Sequence, residues 1–338
     1  MRKVVSQPWF GIAVVLVIYA GLKAAYVTNI IGPYWSLVID QGLIMTIAAL
    51  GLNLIYGFTG QFSLGHAAFY GIGAYTAGLL SKLVFHGSYW GFLVSLLAGA
   101  AMSGIVSFLL GLPILRLKSD YLGIATLGFV MIVKTALDNT DLFLPAAGGA
   151  RGLTGVPQLA GFDIVYLVLI LTVVLLRNIV FSTHGRAMIA VREDELAADA
   201  VGVNTTAYKT IAFTIGGALA GLAGGLYAAR YPLLHPSMFN FLHTFDFLLV
   251  VVLGGLGSIT GTLVASMAWV FILEGLRAVL PQALIDWRGV LYAVILIVLM
   301  ILRPQGLMGN MEFPFLVPKR RVATAQAEVS KGAVTADH

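Results

Sequence analysis

Long apolar runs separated by short polar stretches organise the chain. A helix that crosses a bilayer needs about 20 mostly apolar residues. Stretches at roughly 9–26, 36–56, 62–84, 90–115, 120–138, 163–182, 210–230, 239–256, 261–280 and 288–303 meet that template. Glycine clusters mark the third, fourth, eighth and ninth of them as the spans expected to break or re-enter. Two connections stand out: residues 139–162, with Gly148, Gly149, Gly152 and Gly155, and the charged residues 183–209. From Phe313 to His338 the chain turns polar and alanine-rich, the pattern of a disordered tail. The expected fold is an all-α, polytopic integral membrane protein with about ten transmembrane helices, some broken or re-entrant. Its membrane domain covers 1–312, and 313–338 form the tail.

Composition leads the same way. Of the 338 residues, 59% are hydrophobic and 10% charged, and mean hydropathy is +0.94. Soluble domains carry about 25% charged residues, so this surface suits lipid as its solvent. The net charge of +5 is scattered between apolar runs, with no basic stripe, which argues against a nucleic-acid partner. No cysteine is present, which excludes disulfides, thiolate metal sites and cysteine nucleophiles. No residue set resembles a catalytic triad or a metal site. Met1 to Lys3 and the apolar run behind them look like a signal peptide, but no small-x-small cleavage site follows, and the run reads as a span.

Ten spans with the N-terminus inside leave Lys23, Lys82, Arg151, Arg230, Arg277 and Arg288 outside and Lys134 at membrane depth. The remaining 13 of 20 Lys and Arg residues then fall inside, a bias that predicts both termini in the cytoplasm. Trp9, Tyr34, Trp35, Tyr89, Trp90 and Trp287 fall near span ends and read as interfacial anchors.

The 183–209 connection holds a candidate docking element. Glu193, Asp194 and Glu195 sit where negative charge favours a helix start. Ala197, Ala198 and Ala200 are strong helix formers. Gly202 can end the helix, and Asn204 or Thr205 can cap the next one. Such a helix is either a solvated connector or a foot seated in a groove of a separate ATPase. The chain has no G-x-x-x-x-G-K-[ST] phosphate loop, so ATP would be bound by partner subunits and no cofactor by this chain.

Gly57, Gly60, Gly65, Gly71 and Gly73 crowd one stretch with Gln61, Ser63, His66 and Tyr70. The glycines either pack helices closely or break one over 57–66, exposing backbone along a path. His66 alone reads as a packing residue as readily as a ligand. Gly217, Gly221 and Gly225 recur every fourth residue, the pattern of a helix-packing face. Asp40, Lys134, Asp138, Asp246 and Glu274 lie at membrane depth, where each charge costs about 2.5–3.5 kcal/mol at a helix centre. Lys134 and Asp138 can pair, and Asp40, Asp138 and Glu274 are near enough to span ends to reach water. Asp246 reads as the deepest acid, with His243 one turn earlier; it serves either the path or a structural bond.

The segment from Gly51-Leu-Asn-Leu-Ile-Tyr-Gly-Phe-Thr-Gly-Gln-Phe-Ser-Leu-Gly-His66 to Gly78 resembles the signature of the LivM-type permeases of branched-chain amino acid ABC importers. So do Gly185-Arg-Ala, Arg192-Glu-Asp-Glu-Leu-Ala-Ala198, Gly202-Val-Asn204, Val252-Leu-Gly-Gly-Leu-Gly-Ser258 and Arg303-Pro-Gln-Gly-Leu307. The resemblance covers about 40–308. It implies a transport subunit of the bacterial inner membrane, not an enzyme. It also implies a homologous second permease, two ATPase subunits and a periplasmic binding protein. Under it, Glu193, Asp194, Glu195, Ala197, Ala198 and Gly202 resemble the ATPase-docking loop, with Leu196 where the general motif has Glu. Gly60, Gln61, Ser63, His66, Tyr70 and Asp246 are the candidate path residues. Other cargo within the family, such as urea or amides, and an ion-coupled secondary transporter are the competing readings.

Overall fold

The computed structural model describes residues 8–28, 30–115, 119–279 and short pieces from 294 to 317. The chain divides into two compact units, Met1–Ser36 with Met311–His338, and Leu37–Asn310. The smaller unit contains α1 (Pro8–Val27), and in it the Tyr26 hydroxyl donates to the Ser36 carbonyl at 3.0 Å.

α2 (Pro33–Leu52) leads into the larger unit and continues as a π-helical turn, Asn53–Phe58. Irregular backbone follows to α3 (His66–Leu83) and α4 (Tyr89–Ile114). Next come α5 (Ser119–Asp138), α6 (Phe162–Val180), α7 (Thr183–Glu193), α8 (Glu195–Ala200) and α9 (Thr205–Arg230). α10 (Phe241–Gly254) and α11 (Ile259–Val279) follow. β1 (Leu153–Thr154) pairs antiparallel with β2 (Leu233–Leu234), a two-residue ladder that fastens the 139–162 loop to the end of α9.

Among the described residues, six helices are long and apolar enough to cross a membrane: Pro33–Phe58, Tyr89–Ile114, Tyr121–Asp138, Phe162–Val180, Thr205–Arg230 and Ile259–Arg277. The stretch expected at 288–303 and the expected tail lie mostly outside the described residues. α10 has 14 residues, a rise of about 21 Å, short of the ~30 Å hydrocarbon core. Large apolar side chains on α4 and α6, among them Leu97, Ile105, Leu167 and Leu171, point outward, as a lipid-solvated surface requires.

Three expectations change. The fourth stretch is unbroken, because its glycines serve packing: a Cβ on Gly99 would lie 2.7 Å from the Gly73 carbonyl oxygen. The third begins at His66, because the break falls before it. Residues 183–193 are helical rather than loop, since Ser182 caps them by accepting from the His184 and Gly185 amides.

The centre of the larger unit is α9 against α3 and α4. A Cβ on Gly73 would lie 2.2 Å from Gly221 Cα, and one on Gly221 would lie 2.3 Å from Ser103 Cβ. Gly217 faces Ser107, and Gly225 faces Leu96 and Ala77. With lipid outside, close contact and dispersion bind the helices rather than any expulsion of water. The Ser103 hydroxyl adds hydrogen bonds to the Phe69 carbonyl at 3.0 Å and the Gly217 carbonyl at 2.8 Å.

Gly73→Ala and Gly221→Ala should therefore each destabilise the protein by about 1–3 kcal/mol, the usual range for overpacking. Gly275→Ala, where an added Cβ meets nothing within 4 Å, should not. Thermal unfolding in detergent measures this, and equal midpoints for all three variants would contradict the close-contact reading.

Candidate functional site

The site is built around the place where α2 stops being an α-helix. Gly57 leaves room for the Asn53 side chain, since a Cβ there would lie 1.8 Å from Asn53 Oδ1. Asn53 is fully buried; its Nδ2 donates to the Ser258 carbonyl and to Thr262 Oγ1, both at 2.9 Å. Its Oδ1 accepts from the Gly257 amide at 2.9 Å. This one amide joins the break after α2 to the glycine turn between α10 and α11. Gly60 takes φ +72, a conformation that favours glycine, and lies against the Arg192 side chain. The Arg192 guanidinium donates to the Gly57 carbonyl at 2.7 Å.

The backbone that leads into α3 is satisfied by side chains. Thr126 Oγ1 accepts from the Leu64 amide at 2.9 Å, Ser63 Oγ from the Gly65 amide at 3.3 Å, and Thr244 Oγ1 from the Ala67 amide at 3.1 Å. His66 Nε2 meets the Ala48 carbonyl at 2.7 Å, and its ring abuts Phe247. Ser63 and His66 thus brace the break, and neither lines either cavity described below.

On the side of the 183–209 segment, Asp194 ends α7 and starts α8, because its Oδ1 accepts from the Ala197 amide at 3.0 Å. Gly202 takes φ +86 after α8, and Asn204 Oδ1 caps α9 at the Ala207 amide, 3.0 Å away. Glu193, expected at the start of the short helix, closes α7 instead and pairs with Arg192. Lys209 Nζ meets Glu195 at 2.5 Å. Ala197 is exposed, whereas Ala198 is buried against the chain itself, and the outward apolar residues are Leu196 (84% exposed) and Val201 (80%). A six-residue helix is too short for a periodicity in the sequence to show that Ala198 faces inward and Leu196 outward. A cavity of about 230 Å3 opens here, lined by Thr59, Gly60, Gln61, Arg192, Glu195 and Lys209 among others. The Gln61 amide donates to Thr59 Oγ1 at 3.0 Å and to the Lys209 carbonyl at 3.1 Å.

A second cavity, of about 210 Å3, lies between α2, α3, the end of α9 and the start of α10. Its walls are Gln41, Met45, Tyr70, Tyr227, Met238, His243 and Phe247. Tyr70 is central to it, with its ring 5.5–5.9 Å from those of Tyr227, His243 and Phe247. His243 Nδ1 lies 3.2 Å from the Asp246 carboxylate. The Asp246 side chain is 34% exposed, whereas Asp40 is fully buried and meets Arg230 Nε at 2.6 Å. Asp40 therefore does not reach water, because α9 brings Arg230 to it. The Tyr231 hydroxyl donates to the Leu37 carbonyl at 2.9 Å, a second tie between the same helices. Lys134 and Asp138 pair at 2.7 Å, and Glu274 lies 3.5 Å from Arg277. No cluster of three or more His, Cys, Asp or Glu suited to a metal ion occurs among the described residues.

Thus Gly60 and Gln61 line one cavity, Tyr70 lines the other with Asp246 bonded to its rim, and Ser63 and His66 stand between as braces. Together with outward apolar faces and two interrupted helices, this architecture defines a multi-pass membrane protein built around broken spans. Residues 35–300 match the family described as the branched-chain amino acid transport system permease component. The chain belongs to that family. It is 33% identical over 342 aligned positions to the high-affinity branched-chain amino acid transport system permease protein LivM of Salmonella typhimurium, covering 88% of this chain and 76% of that one. The LivM of Escherichia coli K12 is likewise 33% identical, covering 81% of this chain and 72% of its own. The permease protein LivH of Salmonella typhimurium is 24% identical, over 81% of this chain and 94% of its own. No solved structure gives a match.

Removing one partner of a buried ion pair costs about 3–5 kcal/mol, because the other charge is stranded. Asp40→Ala is expected to destabilise the protein on that scale, and the double variant with Arg230→Ala to recover part of the loss. A double variant as unstable as the sum of the two singles, in detergent unfolding, would mean that the pair is not coupled.

Proposed function

We propose that the chain is the membrane-spanning permease subunit of an ABC importer in the bacterial inner membrane, carrying branched-chain amino acids. In this reading about ten spans place both termini, and the α7–α8 foot, in the cytoplasm. A homologous permease completes the path, two ATPases sit on the cytoplasmic side, and a periplasmic binding protein delivers cargo to the face of the 139–162 loop. ATP is used by the partners, and no cofactor is bound by this chain.

The observation that carries the reading is the pre-formed foot: a capped six-residue helix that carries Leu196 and is followed by Val201, two apolar side chains that lie exposed among the described residues. Exposed apolar groups of this kind suit a protein groove. Arg192 and Gln61 support the coupling step, because they tie the foot and the start of α9 to Gly57 and Thr59 at the break. A rigid shift of α8 would then be felt at the ends of α2 and α10 rather than absorbed in a loose loop. The relatives' names supply the cargo class, and the small cavity beside Tyr70 suits solutes of that size.

Leu196→Asp combined with Val201→Asp should reduce copurification of the ATPases at least about tenfold and abolish leucine uptake, while the chain still inserts. Ala198→Trp acts differently, by unseating α8 from its own chain. Undiminished ATPase recovery with the double Asp variant would remove the docking assignment.

A further inference from the structure

We infer that the cavity beside Tyr70 is a binding station within this subunit for a free α-amino acid with a short aliphatic side chain. The inference rests on the importer reading above and assigns the residues that would hold the cargo once the binding protein has released it.

The cavity is divided chemically. Met45, Met238 and Phe247 give an apolar wall, and thioethers adapt to branched shapes. Gln41, Tyr70, Tyr227 and His243 supply polar atoms. Among the described residues, no hydrogen bond within the protein occupies the Gln41 amide or the Tyr70 hydroxyl, although Tyr70 is only 4% exposed. The Tyr227 hydroxyl has only the Met238 sulfur, at 3.5 Å. A group buried as deeply as Tyr70 normally finds a partner, and with the half-buried Gln41 and Tyr227 beside it the unused donors and acceptors point to a polar guest.

Their types match a zwitterion. The Tyr70 and Tyr227 hydroxyls donate to a carboxylate. His243 Nδ1 faces the Asp246 carboxylate, and in the Nδ1–H tautomer that this acceptor favours, Nε2 carries a lone pair for an ammonium group. Gln41 Oε1 is a second acceptor. The volume of about 210 Å3 lies below the ~300–1,000 Å3 of pockets for drug-sized ligands, which limits the guest to a small solute. The Asp40–Arg230 pair fixes the spacing of the walls, because Gln41 follows Asp40 and Tyr227 lies one turn before Arg230. In the cavity beside the foot the charged groups are mutually paired, Lys209 with Glu195 and Arg192 with Glu193, and the polar atom left without a partner among the described residues is Gln61 Oε1.

The test measures tritiated leucine binding to the detergent-purified complex of this chain with its copurifying subunits, the binding protein omitted. Leucine uptake by the same complex in proteoliposomes, binding protein present, is measured in parallel. Saturable binding is expected, displaced by isoleucine and valine but not by glutamate or lysine. Tyr70→Phe should weaken it at least about tenfold, and Met238→Trp should shift competition from leucine towards alanine. Both variants are first checked for an unchanged unfolding midpoint, and Tyr227→Phe replaces either one that fails. Wild-type uptake without saturable binding, or binding indifferent to these substitutions, overturns this inference and leaves the importer reading standing. Absence of wild-type leucine uptake overturns the cargo reading, and this inference with it.

Discussion

Inside a bilayer, backbone that leaves the helix has no water to bond, so each freed amide and carbonyl must be met by the protein. Asn53 is where this chain meets that constraint. Its one buried side chain makes three hydrogen bonds, to Ser258, Thr262 and Gly257, and holds two interrupted helices together. Thr126, Ser63 and Thr244 accept from the Leu64, Gly65 and Ala67 amides where the chain enters α3. The break is therefore a built feature with fixed partners. Both cavities border the helices that it interrupts.

The two cavities share one rigid element. Lys209, near the start of α9, lines the cavity beside the foot, and Tyr227, near its end, lines the cavity beside Tyr70. They lie about 27 Å apart at 1.5 Å per residue. The tight glycine contacts of α9 with α3 and α4 leave it little freedom to bend alone. A displacement at one end is transmitted as motion of a packed group. Arg192 offers a shorter connection, from α7 directly to the break.

What could be read from the sequence was local. Apolar runs gave the helices to within a few residues, and Asn204, Gly202 and the Lys134–Asp138 pair follow from spacing alone. Long-range partners were out of reach. Nothing near Asp40 announces Arg230, and nothing near Asn53 announces Gly257. Gln41 drew no notice because an uncharged amide near a span end is unremarked until Tyr70 and Tyr227 stand beside it. Glycine content misled for α4, since the residue that permits a bend also permits a close contact, and only a neighbour decides between them.

The Asp40–Arg230 bond also bears on how the chain is made. Its partners are 190 residues apart. At roughly 5–20 residues per second, Asp40 is synthesised about 10–40 s before Arg230. For that interval the acid has no Arg230 to pair with, so this tie between α2 and α9 closes only after the chain as far as Arg230 has been made.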